Sequence, residues 1–196
     1  MKKNFVTAVL MTIATTILLG IIYPLVVTGI AQVLFPRKAN GQLIQVAGKT
    51  VGSSIIGQGF SGPAYFHSRP SSAGNGYDAA NTNGSQLGPT NAKLIDRVKA
   101  GVATAQADQP GAAVPIDLVT ASASGIDPHI TPAAAEFQLS RVAKERGTTV
   151  DQLRALVAKH TEGRQLGILG EARVNVLELN LELDQQFPAN KRASIQ

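Results

Sequence analysis

Cysteine and tryptophan are absent from this 196-residue chain, and charged residues make up only 16% of it. Without cysteine there is no disulfide scaffold, no thiolate metal site and no cysteine nucleophile. A charged share well below the usual ~25% excludes an acidic or basic disordered tail as the main feature. Eighteen Lys and Arg against thirteen Asp and Glu leave a formal charge of +5, far from the concentrated basic footprint of a nucleic-acid binder. Aromatics are scarce as well, at 5%. Nineteen Gly and ten Pro are too few for a low-complexity chain but imply many turns. The length suits one ordinary domain with a small appendage.

What is present is unevenly spread. After Lys2 and Lys3 no charge occurs until Arg37 and Lys38, so the 32 residues Asn4 to Phe35 are uncharged and mostly apolar. At ~1.5 Å per residue they make roughly 48 Å of helix against a hydrocarbon core of ~30 Å. One transmembrane helix over 6–35 fits, with residues 1–5 as a short flank and length to spare for tilt. Lys2, Lys3 and the amino terminus outnumber Arg37 and Lys38. This bias predicts a cytoplasmic amino terminus and an extracytoplasmic domain from residue 36 to 196. A cleaved signal peptide is the rival reading, with Gly29-Ile30-Ala31 as a small-x-small site. The run from Phe5 to Val27 is much longer than the ~7–15 apolar residues of a signal-peptide core.

Ala8, Thr12, Thr16 and Gly20 recur every four residues, so they fall on one side of a helix. Small side chains there admit a second helix closely, which makes this row a candidate packing face for a partner. Pro24 and Thr28 continue it, and Pro24 predicts a disturbance near Gly20 or Ile21.

Residues 37 to 196 hold the other sixteen basic residues and all thirteen acidic ones, net +3. About 160 residues can enclose a core of their own. Leu43–Val46 and Val51–Ile56 read as a hairpin around Ala47-Gly48-Lys49. Gly57 to Pro89 is a long Gly/Ser/Asn/Pro stretch in which Phe60, Tyr65, Phe66 and Tyr77 argue for an ordered loop. A helix capped by Thr90 or Asn91 follows, with Leu94, Val98, Val102 and Ala105 on one face and Asp108-Gln109-Pro110-Gly111 ending it. Thr131-Pro132 opens a helix that Gly147 stops. Thr148 with Asp151 reads as a capping box for a helix through Leu153, Leu156 and Val157, closed by Gly163. Leu177, Leu179, Leu181 and Leu183 alternate with polar residues and read as a strand with one wet face. Helices and strands without βαβ alternation give an α+β class.

Several motifs fail on their own terms. Gly57-Gln58-Gly59-Phe60-Ser61-Gly62 matches G-x-G-x-x-G with Asp78 downstream, but Pro63 follows where a dinucleotide site needs a helix. Gly48-Lys49-Thr50 resembles the end of a phosphate loop, yet Leu43 stands where its first Gly belongs. His67, His129 and His160 lie on three separate segments, so no metal site is expected from spacing. Ser122, Ser124, Asp127 and His129 are the residue types of a hydrolase, without a G-x-S-x-G elbow. A membrane-anchored extracytoplasmic hydrolase using Ser122 or Ser124 with His129 therefore stays as an alternative. So does a free ligand-binding module.

Longer stretches carry a more specific signal. They are Tyr65-Phe66-His67-Ser68-Arg69-Pro70-Ser71, Leu87-Gly88-Pro89-Thr90-Asn91, and Asp117 to Ser122 with Asp127-Pro128-His129-Ile130-Thr131-Pro132-Ala133-Ala134. To these are added Val142-Ala143, His160-Thr161-Glu162-Gly163-Arg164, Leu169-Gly170-Glu171 and Arg173-Val174-Asn175-Val176-Leu177-Glu178-Leu179-Asn180. From the anchor to Asp184 the chain resembles the C subunit family (KdpC) of the Kdp potassium-transporting ATPase. It departs from the family pattern at Ala92, Ala123, Ala172 and the Asn81–Ser85 stretch.

The resemblance implies a bacterial inner-membrane complex. In it a channel-like A subunit carries potassium, a P-type B subunit is phosphorylated by ATP, and a small F subunit accompanies them. It implies a non-catalytic accessory subunit needed for assembly and stability, described as a catalytic chaperone raising the B subunit's affinity for ATP. No cofactor of its own is expected; ATP is implied in complex with the ATPase subunit, and nucleic acid is not a partner. The resemblance marks Tyr65, Phe66, Arg69, Pro70, Gly88, Pro89, Thr90, Asn91, Asp127, Pro128, His129, Thr161, Glu162, Arg164 and Asn175 as motif positions without assigning them a role. With the domain outside the membrane, any effect on cytoplasmic ATP must pass through a change of conformation in the complex. A net charge of +3 also speaks against an electrostatic funnel for potassium.

Overall fold

The apolar amino-terminal run forms one helix from Lys2 to Leu34 in the computed structural model, which describes residues 2–188. Thirty-three residues of helix span roughly 50 Å, enough to cross a ~30 Å hydrocarbon core. The helix has three parts: α1 (Lys2–Thr15), a π-helical turn (Thr16–Ile22) and α2 (Tyr23–Leu34). The π turn sits where Pro24 predicts trouble. Proline lacks an N–H and its ring crowds the carbonyl four residues back, that of Gly20. Widening the preceding turn relieves that crowding, and the Tyr23 N–H bonds five residues back, to Leu18 O. The threonine hydroxyls satisfy themselves locally: Thr7, Thr12 and Thr15 donate to Lys3 O, Ala8 O and Met11 O at 2.8–2.9 Å. Phe35 breaks the helix (φ −137°, ψ 53°), as a residue before proline tends to. A single turn, α3 (Pro36–Ala39), follows.

Strands β1 (Leu43–Val46) and β2 (Lys49–Ser53) close this first compact unit, which ends at Ser53. The hairpin expected from sequence is there, but its second strand begins two residues earlier and stops three sooner than Val51–Ile56. The reason is the turn. Ala47 (φ +51°) and Gly48 (φ +76°) make a two-residue left-handed connection, so Lys49 already pairs with Val46.

The second unit begins at Ser54. Its regular elements are α4 (Ala92–Asp108), a 3-10 turn (Ile116–Leu118), β3 (His129–Ile130), α5 (Pro132–Arg146), α6 (Val150–Lys159), β4 (Thr161–Glu162), β5 (Arg173–Asn175) and α7 (Val176–Gln186). The three short strands form one antiparallel sheet in the order β3-β5-β4. Mixed helix and sheet is thus the class, as the absence of βαβ alternation implies.

Local chemistry sets the helix ends. The Asn91 side chain accepts from Lys93 N and starts α4, whose expected face of Leu94, Val98, Val102 and Ala105 is half-buried. Thr131 accepts from Ala134 N with Pro132 at the first position of α5, and Gly147 ends it in the left-handed region (φ +64°). The capping box of α6 is displaced by one residue from the sequence reading. Thr149, not Thr148, is the cap, and Gln152 rather than Asp151 reaches back to it, because the longer amide spans the gap that aspartate cannot.

The larger correction is α7. The alternation Leu177–Leu183 is not a strand; Val176, Leu179, Asn180 and Leu183 fall on one helical face and are buried together. Asn175 caps that helix by accepting from Glu178 N at 3.1 Å, and unbranched leucine favours helix over strand. The core joins this face to Leu139 and Val142 of α5, Leu153, Leu156 and Val157 of α6, Ile130 and Val174 of the sheet, and Phe66.

Candidate functional site

The motif stretch around Phe66 has no regular structure, yet Phe66 is buried and its neighbours are half-buried. Its backbone is paired by side chains instead of by a ladder. The Asn180 amide of α7 accepts from Phe66 N and donates to Phe66 O, both at 2.9 Å. Gln138 of α5 does the same for His67, accepting from its N–H at 2.7 Å and donating to its carbonyl at 3.1 Å. Arg141 donates to Tyr65 O at 3.0 Å and Arg146 to Ala64 O at 2.8 Å. The Arg146 guanidinium is fully buried, pairs with Asp184 at 2.8 Å and lies 4.6 Å over the Tyr65 ring. Phe60 packs 5.6 Å from the same ring. A buried peptide group without a partner costs about 1–3 kcal/mol, so four polar helix residues are what allow this strap to lie in the core. All four aromatics named from sequence take part: Tyr77 donates its hydroxyl to Arg69 O at 2.7 Å.

Downstream of the strap, Arg69, Asp127 and His129 meet. Arg69 bonds Asp127 at 3.2 Å and also reaches the Thr120 carbonyl at 3.4 Å. The other Asp127 oxygen accepts from His129 N at 2.9 Å, with the His129 ring 3.6 Å away. Partial burial pushes the Asp127 carboxyl upward, but the His129 hydrogen bonds and the Arg69 charge outweigh it, and its pKa lies below the ordinary value. A cleft of about 220 Å³ opens beside this node, lined further by Asp117, Thr131, Glu171 and Arg173. Three carboxylates face two guanidiniums and an imidazole there, so no net positive field gathers for a polyphosphate. A second cleft, about 270 Å³, lies between α4 and α5 and is lined by His67, Pro70, Asp108, Phe137, Gln138 and Arg141 among others. Burial first, then the Arg141 charge, holds the His67 imidazole below its ordinary pKa.

Most other motif positions make bonds within the chain. Gly88-Pro89-Thr90-Asn91 is a turn closed by Asn91 N to Gly88 O at 3.0 Å, delivering the chain to α4. The Pro128 carbonyl accepts from Val176 N, and buried Asn175 donates to Ser54 O at 2.7 Å while capping α7. Thr161 donates to Val157 O, and Glu162 pairs with Arg173 across the sheet edge. Arg164 stands exposed in the connection from β4 to β5. Along the membrane helix, Ala8, Thr12, Thr16 and Gly20 are exposed, and a Cβ built on Gly20 would lie 3.8 Å from Thr16 Cγ2, so the row stays on one side through the π turn.

Among the described residues no hydrogen bond joins Ser122 or Ser124 to His129: Ser122 Oγ accepts from Gly125 N and Ser124 Oγ from Ile126 N, while Asp127 bonds Arg69 and the His129 N–H. The G-x-G-x-x-G run is irregular chain. Gly57 there serves close packing, since an added Cβ would sit 2.6 Å from Asp127 O and 2.7 Å from Tyr77 Cε1. Among the described residues no three His, Asp or Glu side chains are placed to hold a metal ion. Sequence reasoning missed Gln138, Arg141, Arg146 and Asn180. Each is a polar residue interrupting an apolar helix face, which is the signal that could have found them.

The family model for KdpC, the c chain of K+-transporting ATPases, matches residues 5–185. The potassium-transporting ATPase KdpC subunit of Koribacter versatilis is 64% identical over 188 residues, covering 96% of this chain and 97% of the relative. That of Rhodospirillum rubrum is 54% identical over 190 residues, covering 96% and 98%. That of Acidobacterium capsulatum is 58% identical over 180 residues, covering 91% and 96%.

Proposed function

This chain belongs to the KdpC family, the c chain of K+-transporting ATPases, and we propose that it acts there as a non-catalytic subunit that assembles and stabilises the pump. The observation that carries this reading is the membrane helix. The most apolar window of the helix Lys2 to Leu34 is exposed throughout, so lipid and other helices would be its neighbours. The Ala8, Thr12, Thr16, Gly20 row would be the face that meets a partner helix, because small residues let backbones approach where dispersion and not the hydrophobic effect drives association.

The basic flank at Lys2 and Lys3 supports a cytoplasmic amino terminus, with residues beyond the anchor outside a bacterial inner membrane. The partners would be the channel-like A subunit and the P-type B subunit, with a small F subunit, catalysis residing in B. ATP affinity of the B subunit would be raised, if at all, by favouring one conformation of the assembly, since the domain would stand on the side without nucleotide. The node at Arg69, Asp127 and His129 fits this non-catalytic role: its carboxylate is committed to two internal partners.

Replacing Thr16 and Gly20 by Leu places bulk on the row while keeping the helix apolar. Co-purification with the other subunits from detergent should fall, with the chain still inserted in the membrane. Unchanged assembly would remove the packing face from the argument.

A further inference from the structure

The connection from β4 to β5 ends in a small rigid hairpin. Gln165 and Leu169 exchange both backbone hydrogen bonds at 2.9 Å, and Ile168 N reaches Gln165 O at 3.2 Å. Leu166 (φ +53°) and Gly167 (φ +77°) form its tip, both in the left-handed region. Leu166 is 88% exposed, Ile168 75% and Leu169 54%; the first two are the most exposed large apolar side chains described in the second unit.

This tip contradicts local preference. A two-residue turn with positive φ at both positions calls for Asn or Gly first, and leucine there is strained by roughly 1 kcal/mol or more. Strain and an exposed leucine coincide at the tip.

The geometry points to this hairpin, Gln165 to Leu169, as a docking knob that seats Leu166 and Ile168 in an apolar socket on another protein subunit of the K+-transporting ATPase. The inference rests on the subunit reading given above. A lipid surface suits the knob poorly, because interfacial anchors use Trp, Tyr and clustered Lys or Arg, whereas the hairpin and its flanks offer aliphatics with Arg164 balanced by Glu171. A second copy suits it poorly too. Three aliphatic side chains cover a few hundred Å² at most, well short of the ~1,200 Å² of a stable interface. A convex knob therefore needs a larger, concave partner whose remaining contacts are made elsewhere. The preformed turn helps, since little entropy is lost on seating it, and membrane tethering raises the local concentration of both partners.

The test uses the full chain co-expressed with the other subunits and recovered in mild detergent through a tag on one of them. Leu166→Asp and Ile168→Asp should each reduce recovery of this chain roughly tenfold or more, as loss of one buried aliphatic contact predicts. Leu166→Asn, which suits positive φ, should lose recovery while its thermal unfolding temperature holds or rises, which separates docking from folding. Recovery of these variants at the wild-type level overturns the proposal and leaves the subunit reading standing; failure of the wild-type chain to co-purify overturns both. The chain has no native cysteine, so Leu166→Cys carrying a bimane dye reports the tip alone. Its emission should shift to the blue only when the other subunits are added. A shift in phosphatidylethanolamine–phosphatidylglycerol vesicles holding this chain alone assigns the tip to lipid, and one that grows with the concentration of this chain assigns it to a second copy. Either would overturn the proposal.

Discussion

Asn180 offers the sharpest test of how the strap is held. Its side chain is 1% exposed, and the amide satisfies both backbone groups of Phe66, itself fully buried, at 2.9 Å. Asn180→Leu keeps the branched outline of the amide, adds bulk that itself costs packing energy, and removes both partners. Each orphaned peptide group costs about 1–3 kcal/mol, giving ~2–6 kcal/mol in all. That is a large part of the ~5–15 kcal/mol that holds a typical domain together. At ~3–5 °C per kcal/mol for a domain of this size, the melting temperature should fall by on the order of 10 °C or more. Gln138→Leu makes the same change one residue along the strap, but His67 is half-buried, so water can reach its freed groups and the loss should be smaller. Circular dichroism of the full chain in detergent measures both, and hydrogen exchange at the Phe66 amide reports the strap itself. A drop under ~2 °C for Asn180→Leu, or equal drops for the two variants, would refute the reasoning that peptide satisfaction orders this segment.

Two further outcomes follow from the same region. His67 is held below its ordinary pKa by burial and Arg141, with Asp108 opposing; the unfolded chain therefore takes up a proton near pH 6.5 that the folded one refuses. Stability should be fully present above that pH and decline as pH drops below it, and His67→Asn should flatten the decline in a series of melts from pH 7.5 to 5. Gly57→Ala drives a methyl group against the Asp127 carbonyl at 2.6 Å and should destabilise by about 1–3 kcal/mol, whereas Gly59→Ala meets only Tyr77 at 3.6 Å and should be tolerated. Equal sensitivity at both glycines would refute the close-packing account of Gly57.

How much of this was readable in advance depended on the range of the signal. The membrane helix, the Asn91 and Thr131 caps and the Gly147 stop are local, and residues within one turn decide them. The π turn was half legible: Pro24 marks the place, but whether the backbone kinks or widens is settled by the i→i+5 bond from Tyr23. Segment 177–183 was misread because strict alternation of leucine also satisfies a helix once Val176 and Asn180 are counted with the apolar face. Counting Asn180 as apolar is unnatural from sequence, and it becomes reasonable only when its partner is a buried backbone 114 residues away.

The same asymmetry explains why the candidate functional features lie where they do. Motif residues of the strap and node are spent on each other: Phe66 on Asn180, His67 on Gln138, Arg69 on Asp127. A residue fully engaged inside the chain fixes shape and has little capacity left for a ligand. The exposed apolar surface of the described residues includes the membrane helix and the Leu166 tip. In a soluble monomer such surfaces would be a liability. In a subunit such surfaces are places where contacts could differ between two states of the assembly, which is what coupling to a distant site requires. The rigid strap then has a purpose at a distance: Phe66, Asn180 and the buried face of α7 set the position of β5, and β5 holds one end of the hairpin. Loosening the strap should therefore weaken assembly even where the tip sequence is intact, and Asn180→Leu, assayed by co-purification below its melting temperature, puts that coupling to the test.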